Sequence, residues 1–448
     1  MAQILLRGKH VVTMNGARDV VVDGAVLVVD DLVREVGAWS DMQTRFPQAE
    51  VLGSENSVVT PGYVNAHQHL TGDRLVRSCI PDAIDSQDAI FGWAVPVHGA
   101  HTADDDHLSA TLSLVEALGN GITCTVEAGT VAHPDRVAAA MREIGSRGTI
   151  GRWGWDVGDG PQAAPAAEVL DRMQELLDAH PRGGLVEGWV TLVGHDLMSD
   201  ELVAGASALA RDAGTGITFH LSPHTGDPAS YLARTGVRPA VHLDRLGVLG
   251  RHVVLAHGVH LDDDEVEIVL RTGTSIAACP WAYLRLAQGV TVGGRYAELF
   301  RRGGRLAVGC DSENAGDAID VLRAATLFVG LARDMETDPF SITAQHGLEL
   351  ATIRGAEAIG MADRIGSLEP GKQADVVVHE TSGPQWTTRS PDPVLQLMWA
   401  SDGRSVSDVV VAGRVVVRDG QCVTVDVAAA SAAAAERQRF LLRAAGKG

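Results

Sequence analysis

The strongest constraint on this chain is a long middle stretch, about residues 59–370, in which short apolar runs alternate with amphipathic stretches of helical period. The runs expected to be strands are Val58–Asn65, Ile122–Glu127, Thr149–Trp155, Val186–Val193, Gly216–His220, Val253–His257, Ser275–Ala278 and Leu306–Cys310. The helices between them include His107–Gly119, Pro134–Arg147, Ala166–Ala179 and Ser199–Ala213. Consecutive parallel strands need a crossover, and a helix is the usual one. Eight strands joined this way predict an α/β fold, a (β/α)8 TIM-type barrel.

Both chain ends read differently. Gln3–Leu6, Asp19–Val29 in two pieces, and Leu32–Val36 look like short strands, with a helix expected near Trp39–Phe46. Strand character returns in Ala374–His379 and Ser407–Val417, where Ala412-Gly413-Arg414 suits a hairpin turn. The expectation is a small β-sandwich of residues 1–58 with 371–425, flanking a barrel over 59–370. An Ala-rich helical tail, 426–448, carries no recognisable chemistry.

Composition narrows the function classes. A net charge of −20 argues against nucleic acid and anionic membranes as partners and leaves a small molecule. No apolar run approaches the ~20 residues of a membrane span, and the opening MAQILLRGKHVVTM is too interrupted for a signal peptide. Five scattered cysteines without CxxC spacing read as reduced thiols, so a cytoplasmic protein is expected. Lysine occurs only at 9, 372 and 447. Chemistry that needs a central lysine, such as a Schiff base or a phosphate-binding loop, is thereby excluded from the middle of the chain.

Polar residues follow the apolar runs at telling places. Val64-Asn65-Ala66-His67-Gln68-His69 ends the first barrel strand, and residues two apart on a strand share a face. His220, His257 and Asp311 close the fifth, sixth and eighth runs. Barrel enzymes carry their catalytic groups at this C-terminal end of the strands. A lone HxH is more often a surface pair than a metal site, but four strand ends in barrel order are hard to obtain by accident. Imidazoles with a carboxylate suit one Zn2+, with Fe2+ as the alternative.

At these residues the chain resembles the amidohydrolase superfamily. Thr60-Pro61-Gly62-Tyr63-Val64-Asn65-Ala66-His67-Gln68-His69 is similar to its PG(F/Y)(V/I)NxHxH motif, and Leu368-Glu369-Pro370-Gly371-Lys372-Gln373-Ala374-Asp375 to its L-x-x-G-x-x-A-D. Gly121-Ile122-Thr123, Leu255-Ala256-His257-Gly258 and Gly309-Cys310-Asp311-Ser312 match as well. The likeness covers about residues 1–425 and points to the branch of chlorotriazine hydrolases and guanine and S-adenosylhomocysteine deaminases. It implies metal ligation by His67, His69, His220 and Asp311, with Asp311 also taking a proton from water. It implies a hydrogen bond from His257 to that water or the substrate, and a substrate contact from His195. Members with two metals bridge them by a carboxylated lysine on the fourth strand. This chain has none there, so one metal is expected. Relatives often form dimers, so a homodimer or higher homo-oligomer is expected too.

One departure matters. Deaminases of that branch carry His-x-x-Glu after the fifth strand, and the Glu shuttles protons. Here the segment is His220-Leu221-Ser222-Pro223-His224, and proline transfers no proton. His224, Glu127 and His260 are the candidate substitutes. Arg74, Arg77, Asp73 and Trp93 on the loop 71–101, and the aromatic Cys279-Pro280-Trp281-Ala282-Tyr283-Leu284 segment, are candidate substrate contacts. The reading is hydrolytic displacement, foremost deamination, at an sp2 carbon of a nitrogen-rich ring or amidine-like group. Its rivals are hydrolysis of another C–N or a carbon–halogen bond, and a degenerate barrel that binds a small ligand without turnover.

Overall fold

Along the first two strands the side chains alternate between two cores. Ile4, Leu6, Val26 and Val28 join one, while Leu5, Ala25, Leu27 and Val29 join another against Met42. This is the two-residue period of a strand covered on both faces. The computed structural model describes residues 3–447; Met1, Ala2 and Gly448, the outer ends of the expected terminal segments, lie outside the described residues.

The N-terminal strands are β1 (Gln3–Val12), β2 (Val20–Val29), β3 (Leu32–Ala38), β4 (Glu50–Gly53) and β5 (Ser57–Pro61). Those of the middle are β6 (Tyr63–Gln68), β7 (Ile122–Glu127), β8 (Arg147–Ile150), β9 (Val186–Gly188), β10 (Val190–Gly194), β11 (Ile217–Leu221), β12 (Val253–His257), β13 (Ser275–Ala278) and β14 (Arg305–Val308). The last are β15 (Val376–Glu380), β16 (Val406–Val411), β17 (Arg414–Arg418) and β18 (Gln421–Cys422).

The two chain ends build one sheet of nine strands, ordered β18-β17-β16-β15-β5-β1-β2-β3 with β4 beside β1. Its core gathers Leu52 and Val59 with Val376, Val378 and Val410, so each end buries apolar surface that the other leaves open. The Ala412–Gly413 turn forms as expected, both residues having positive φ, the type I′ geometry of a tight hairpin.

The middle is a parallel α/β barrel. β6-β7-β8-β9 form one run and β10-β11-β12-β13-β14 the other. They join at Trp189, whose N–H donates to Ile150 O at 2.9 Å before Val190 N–H donates to Gly216 O at 3.0 Å. The circuit returns at the other edge, where the amides of Cys310 and Asp311 both donate to His67 O. Outward residues such as Ile217, Phe219, Val253 and Leu255 pack on the helices Ala166–Ala179 and Asp200–Asp212.

Several boundaries differ from the sequence expectation. The run Val58–Asn65 is two strands, because Gly62 breaks it: its N–H donates to Asp375 O, and a Cβ there would lie 2.0 Å from Thr123 Oγ1. The expected Thr149–Trp155 strand is β8 alone, since Gly151 and Gly154 fold the chain against Thr191. Val186–Val193 changes partners at Trp189, and Asp19–Val29 is one strand rather than two pieces. The helix begun at Pro134 stops at Ile144, where Gly145 takes φ 84°.

A buried ion pair ties barrel to outer sheet. Arg147, first residue of β8, donates Nε to Asp375 Oδ2 at 2.7 Å and an Nη to Asp375 Oδ1 at 3.0 Å. Asp375 also accepts the Ala412 N–H at 2.8 Å. The tail helix Val427–Ala444 lies on the barrel helix Ala103–Gly119, with Leu441 buried among Leu75, Val76, Val97 and Leu112 and Arg437 on Asp105. Among the described residues no helix is long and apolar enough to cross a membrane.

Candidate metal centre and substrate cavity

At the C-terminal mouth of the barrel the strand-end residues converge. His69 Nε2 stands 3.2 Å from His220 Nε2 and 3.4 Å from Asp311 Oδ1, and His67 Nε2 is 3.8 Å from Asp311 Oδ1. Donor atoms of His67, His220 and His257 lie within 4.8 Å of one another, as do those of His67, His69 and Asp311. The local backbone explains the aim. On β11, Ile217, Phe219 and Leu221 pack outward, which turns Thr218 and His220 inward. On β12 the alternation would send His257 outward with Leu255. A φ of 79° at His257 reverses it, and its Nε2 reaches to 3.9 Å from Asp311 Oδ2. Asp311 and His195 also have positive φ, at 65° and 53°. Non-glycine residues held there store strain that clusters at functional sites.

The polar accounting asks for a cation. Both ring nitrogens of His67 are buried without a hydrogen-bond partner. A buried polar atom left unsatisfied costs about 1–3 kcal/mol. His220 Nδ1–H donates to Val193 O at 2.5 Å, which leaves Nε2 bare and facing the bare side of His69. Burial holds His67 and His220 well below the ordinary imidazole range, so they are neutral donors. Burial opposes ionisation of Asp311, yet its hydrogen bond to His69 and the fields of His257 and His67 hold the carboxyl well below the usual range. Three imidazoles and a carboxylate make a tetrahedral zinc-type donor set. His67, His69, His220 and Asp311 can therefore hold a metal ion.

A cavity of ≈100 Å3 opens beside this cluster. His69, His195, His220, His257 and Asp311 form its floor, and Pro223 reaches it too. Ile80, Ala89, Ile90, Phe91 and Val95 from the loop after β6 form an apolar side, and Trp153, Thr130, Gln288 and Asn314 complete the wall.

Other expected contacts fall elsewhere. Arg74 and Arg77 both turn to Glu116, because a carboxylate half-buried on the adjacent helix satisfies them. Trp93 lies under the Lys447 ammonium, 4.7 Å from its ring centre, and Phe91 holds the wall position instead. His260 is off the wall, donating Nε2–H to Gln288 O at 2.7 Å. Glu127 is buried behind His69, with Oε2 accepting the Gly129 N–H at 2.7 Å and burial pushing its carboxyl up to about 7. Trp281 stacks with Arg323, and Tyr283 is sealed behind His257, so that segment buttresses the cavity rather than lining it. His224 is also off the wall. Its Nδ1 accepts the Gly226 N–H, and its Nε2 faces Gln87 and, at 3.5 Å, Asp227.

Sequence reasoning missed two pairs. Asp227 lies 3.3 Å from His195 Nδ1 and accepts the Ser222 N–H, fixing the ring that stacks 4.9 Å from His220. Its signal was the Gly226-Asp227-Pro228 helix start after the fifth strand. Asp73 accepts Nε2–H of His98 at 2.8 Å, and both line the cavity. Nothing in the spacing of those two residues pairs them.

Comparison with known proteins gives three findings. Residues 58–416 match the Amidohydrolase family. A 5-methylthioadenosine/S-adenosylhomocysteine deaminase of Symbiobacterium thermophilum is 32% identical over 431 residues, covering 94% of each chain. A 5'-deoxyadenosine deaminase of Methanopyrus kandleri is 28% identical over 406 residues, 90% of each. Among solved structures, an adenosine deaminase from Xanthomonas campestris with bound zinc superposes with a TM-score of 0.92 at 27% identity, covering 99% of both chains.

Proposed function

The chain belongs to the amidohydrolase family and is a hydrolase of non-peptide C–N bonds, and we propose that it uses one zinc ion to release ammonia from the amino-bearing ring carbon of an adenine-like heterocycle. The observation that carries this reading is the convergence of His67, His69, His220 and Asp311 beside a cavity at the barrel mouth. An ion in that donor set would supply a Lewis acid and lower the pKa of water from 15.7 to about 7.

The side chains then divide the proton work. Asp311 accepts the proton of the attacking water at its Oδ and returns it to the departing amino group, which leaves as ammonia. Burial drops His257 to about 4, so its ring is neutral and positions that water or the substrate by a hydrogen bond. Pro223 supplies no proton where the deaminases of this branch carry Glu. Asp227 takes His195 Nδ1, which leaves Nε2 as the free nitrogen of a ring lining the cavity. We therefore assign the exchange of a proton with the substrate ring to His195, with Asp227 as its positioning residue, in place of His224. A positioned acid or base contributes typically ~10²–10⁴-fold.

The same reading divides the chain into a β domain of 1–58 with 371–425, a catalytic barrel of 59–370 and a helical tail of 426–448. It places the protein in the cytoplasm, supported by five free cysteines. A homodimer or higher homo-oligomer belongs to the same reading. Pro223 also favours one rival reading, displacement of a leaving group such as halide that needs no protonation.

The test is metal content with ammonia and halide release on aminopurine nucleosides, aminopyrimidines, aminotriazines and chlorotriazines. One zinc per chain with ammonia from an aminopurine supports the proposal. Halide release alone moves the assignment to the rival, and metal-replete protein inert on every compound overturns both.

A further inference from the structure

Within the reading of an adenine-like substrate, the cavity wall sorts the molecules that could enter. Its loop side is built from Ile80, Ala89, Ile90, Phe91 and Val95, with Leu286 opposite. No lysine or arginine is among the lining residues. Three guanidiniums on the neighbouring segments are committed elsewhere: Arg74 and Arg77 to Glu116, and Arg285 to Asp317. The acidic groups present, Asp73 and Asp311, would repel a carboxylate. A carboxylate would have to leave water without a counter-charge, and burying an unpaired charge is strongly unfavourable.

A polar pair, His98 with Asp73, also stands in this wall. His98 is 7% exposed and lines the cavity; its Nε2–H is taken by Asp73, whose second oxygen accepts the Asn314 N–H at 3.2 Å. His98 Nδ1 has no hydrogen-bond partner in the protein. With Nε2 protonated, Nδ1 is an acceptor. The fit is close: a Cβ on Gly72 would lie 1.8 Å from the ring, and Trp153 packs edge-on at 5.8 Å. The ring is thus fixed, with a buried, unfilled acceptor.

We infer that the site selects neutral nucleosides over those bearing a carboxylate, with an apolar 5'-substituent against Ile80, Ile90 and Phe91 and a sugar hydroxyl donating to His98 Nδ1, so that His98, held by Asp73, is a positioning residue for specificity. Of the substrates named by the relatives, the neutral 5'-methylthio and 5'-deoxy adenosines fit this wall. S-adenosylhomocysteine carries an α-ammonium and an α-carboxylate, and it does not.

The test uses the zinc-loaded full chain and those three nucleosides. The neutral pair should be deaminated with kcat/KM within about tenfold of each other, and the zwitterion at least about 100-fold more slowly. An equal or higher kcat/KM for S-adenosylhomocysteine overturns the inference. If no nucleoside yields ammonia, the proposed function fails by itself. Calorimetric binding of the same compounds then decides the selectivity, with tighter binding of the neutral pair upholding it and equal binding overturning it. For His98, the paired change His98→Leu with Asp73→Asn should raise KM at least about tenfold with kcat little changed, and His98→Gln, which keeps an acceptor and a donor to Asp73, should restore most of it. Sugar-deoxy analogues on the unaltered enzyme give the same loss without any substitution. KM values unmoved by both the paired change and the analogues would remove His98 from the account.

Discussion

Replacing Asp375 by Asn tests how the outer sheet is fastened to the barrel. The side chains of Arg147 and Asp375 are 3% and 2% exposed, so neither charge has water to fall back on. Asp375 accepts two bonds from the guanidinium and one from Ala412 N–H, joining β8, β15 and the β16–β17 hairpin at one carboxylate. Asn keeps the shape and one acceptor oxygen but removes the partner charge, leaving the guanidinium uncompensated beside Gln373 Oε1 at 3.1 Å. Removing one partner of a buried pair costs about 3–5 kcal/mol, against a total of about 5–15 kcal/mol for a typical fold. Urea unfolding of the zinc-loaded protein, followed by tryptophan fluorescence, should show this as a large fall in midpoint for Asp375→Asn. Replacing both partners, Arg147→Met with Asp375→Leu, should recover most of it, since desolvation of both charges disappears together. A single substitution costing under about 1 kcal/mol, or a double one as damaging as the single, would show that the pair is not what fastens the two parts.

Other substitutions read out the chemistry and the pH response. Asp311→Asn should lower kcat by ~10²-fold or more, and a metal-loaded variant with near-normal turnover places the base elsewhere. Asp227→Asn should lower kcat more than it raises KM, by ~10-fold or more, and alter the pH profile of kcat; an unchanged profile returns the proton role to His224. His379, sealed between Tyr63 OH and Ser405 Oγ, is lowered by burial from 6.5 to about 3. Between these values the unfolded chain binds a proton that the folded one does not, so stability falls as pH drops from 6.5 toward 3, by at most about 5 kcal/mol. Unfolding free energies of His379→Gln at pH 4 and 7 should show a smaller difference than those of the unaltered chain; identical differences would refute it.

What was legible from residues alone followed from periodicity. His67, His69, His220 and Asp311 could be placed together because an apolar run fixes a strand, and a strand end in a parallel barrel has only one mouth to face. The same logic failed where apolar character runs through a change of partner. Val58–Val64 is continuously apolar apart from Thr60, Pro61 and Gly62, so hydrophobicity alone could not show that β5 and β6 belong to different sheets. The loop after β6 has no period at all. Arg74 and Trp93 looked like ligand contacts by type, but Glu116 and Lys447 claim them, and those partners are 42 and 354 residues away in the chain. The Asp73–His98 and Asp227–His195 pairs were hidden for the same reason: each is made across irregular backbone whose path composition does not fix.

The tail helix has a bearing on the order in which the enzyme matures. Leu441 packs on Leu75, Val76 and Val97, residues at both ends of the loop that carries the apolar cavity side, and Gln438 and Lys447 touch Cys79 and Trp93 of that loop. Those tail residues are translated after every strand of the barrel, at a pace of about 5–20 residues per second. A nascent chain can therefore bring His67, His69, His220 and Asp311 together while the apolar side of the cavity is still unsecured. The donor cluster and the cavity side would be completed in sequence, the second only when the tail helix has docked.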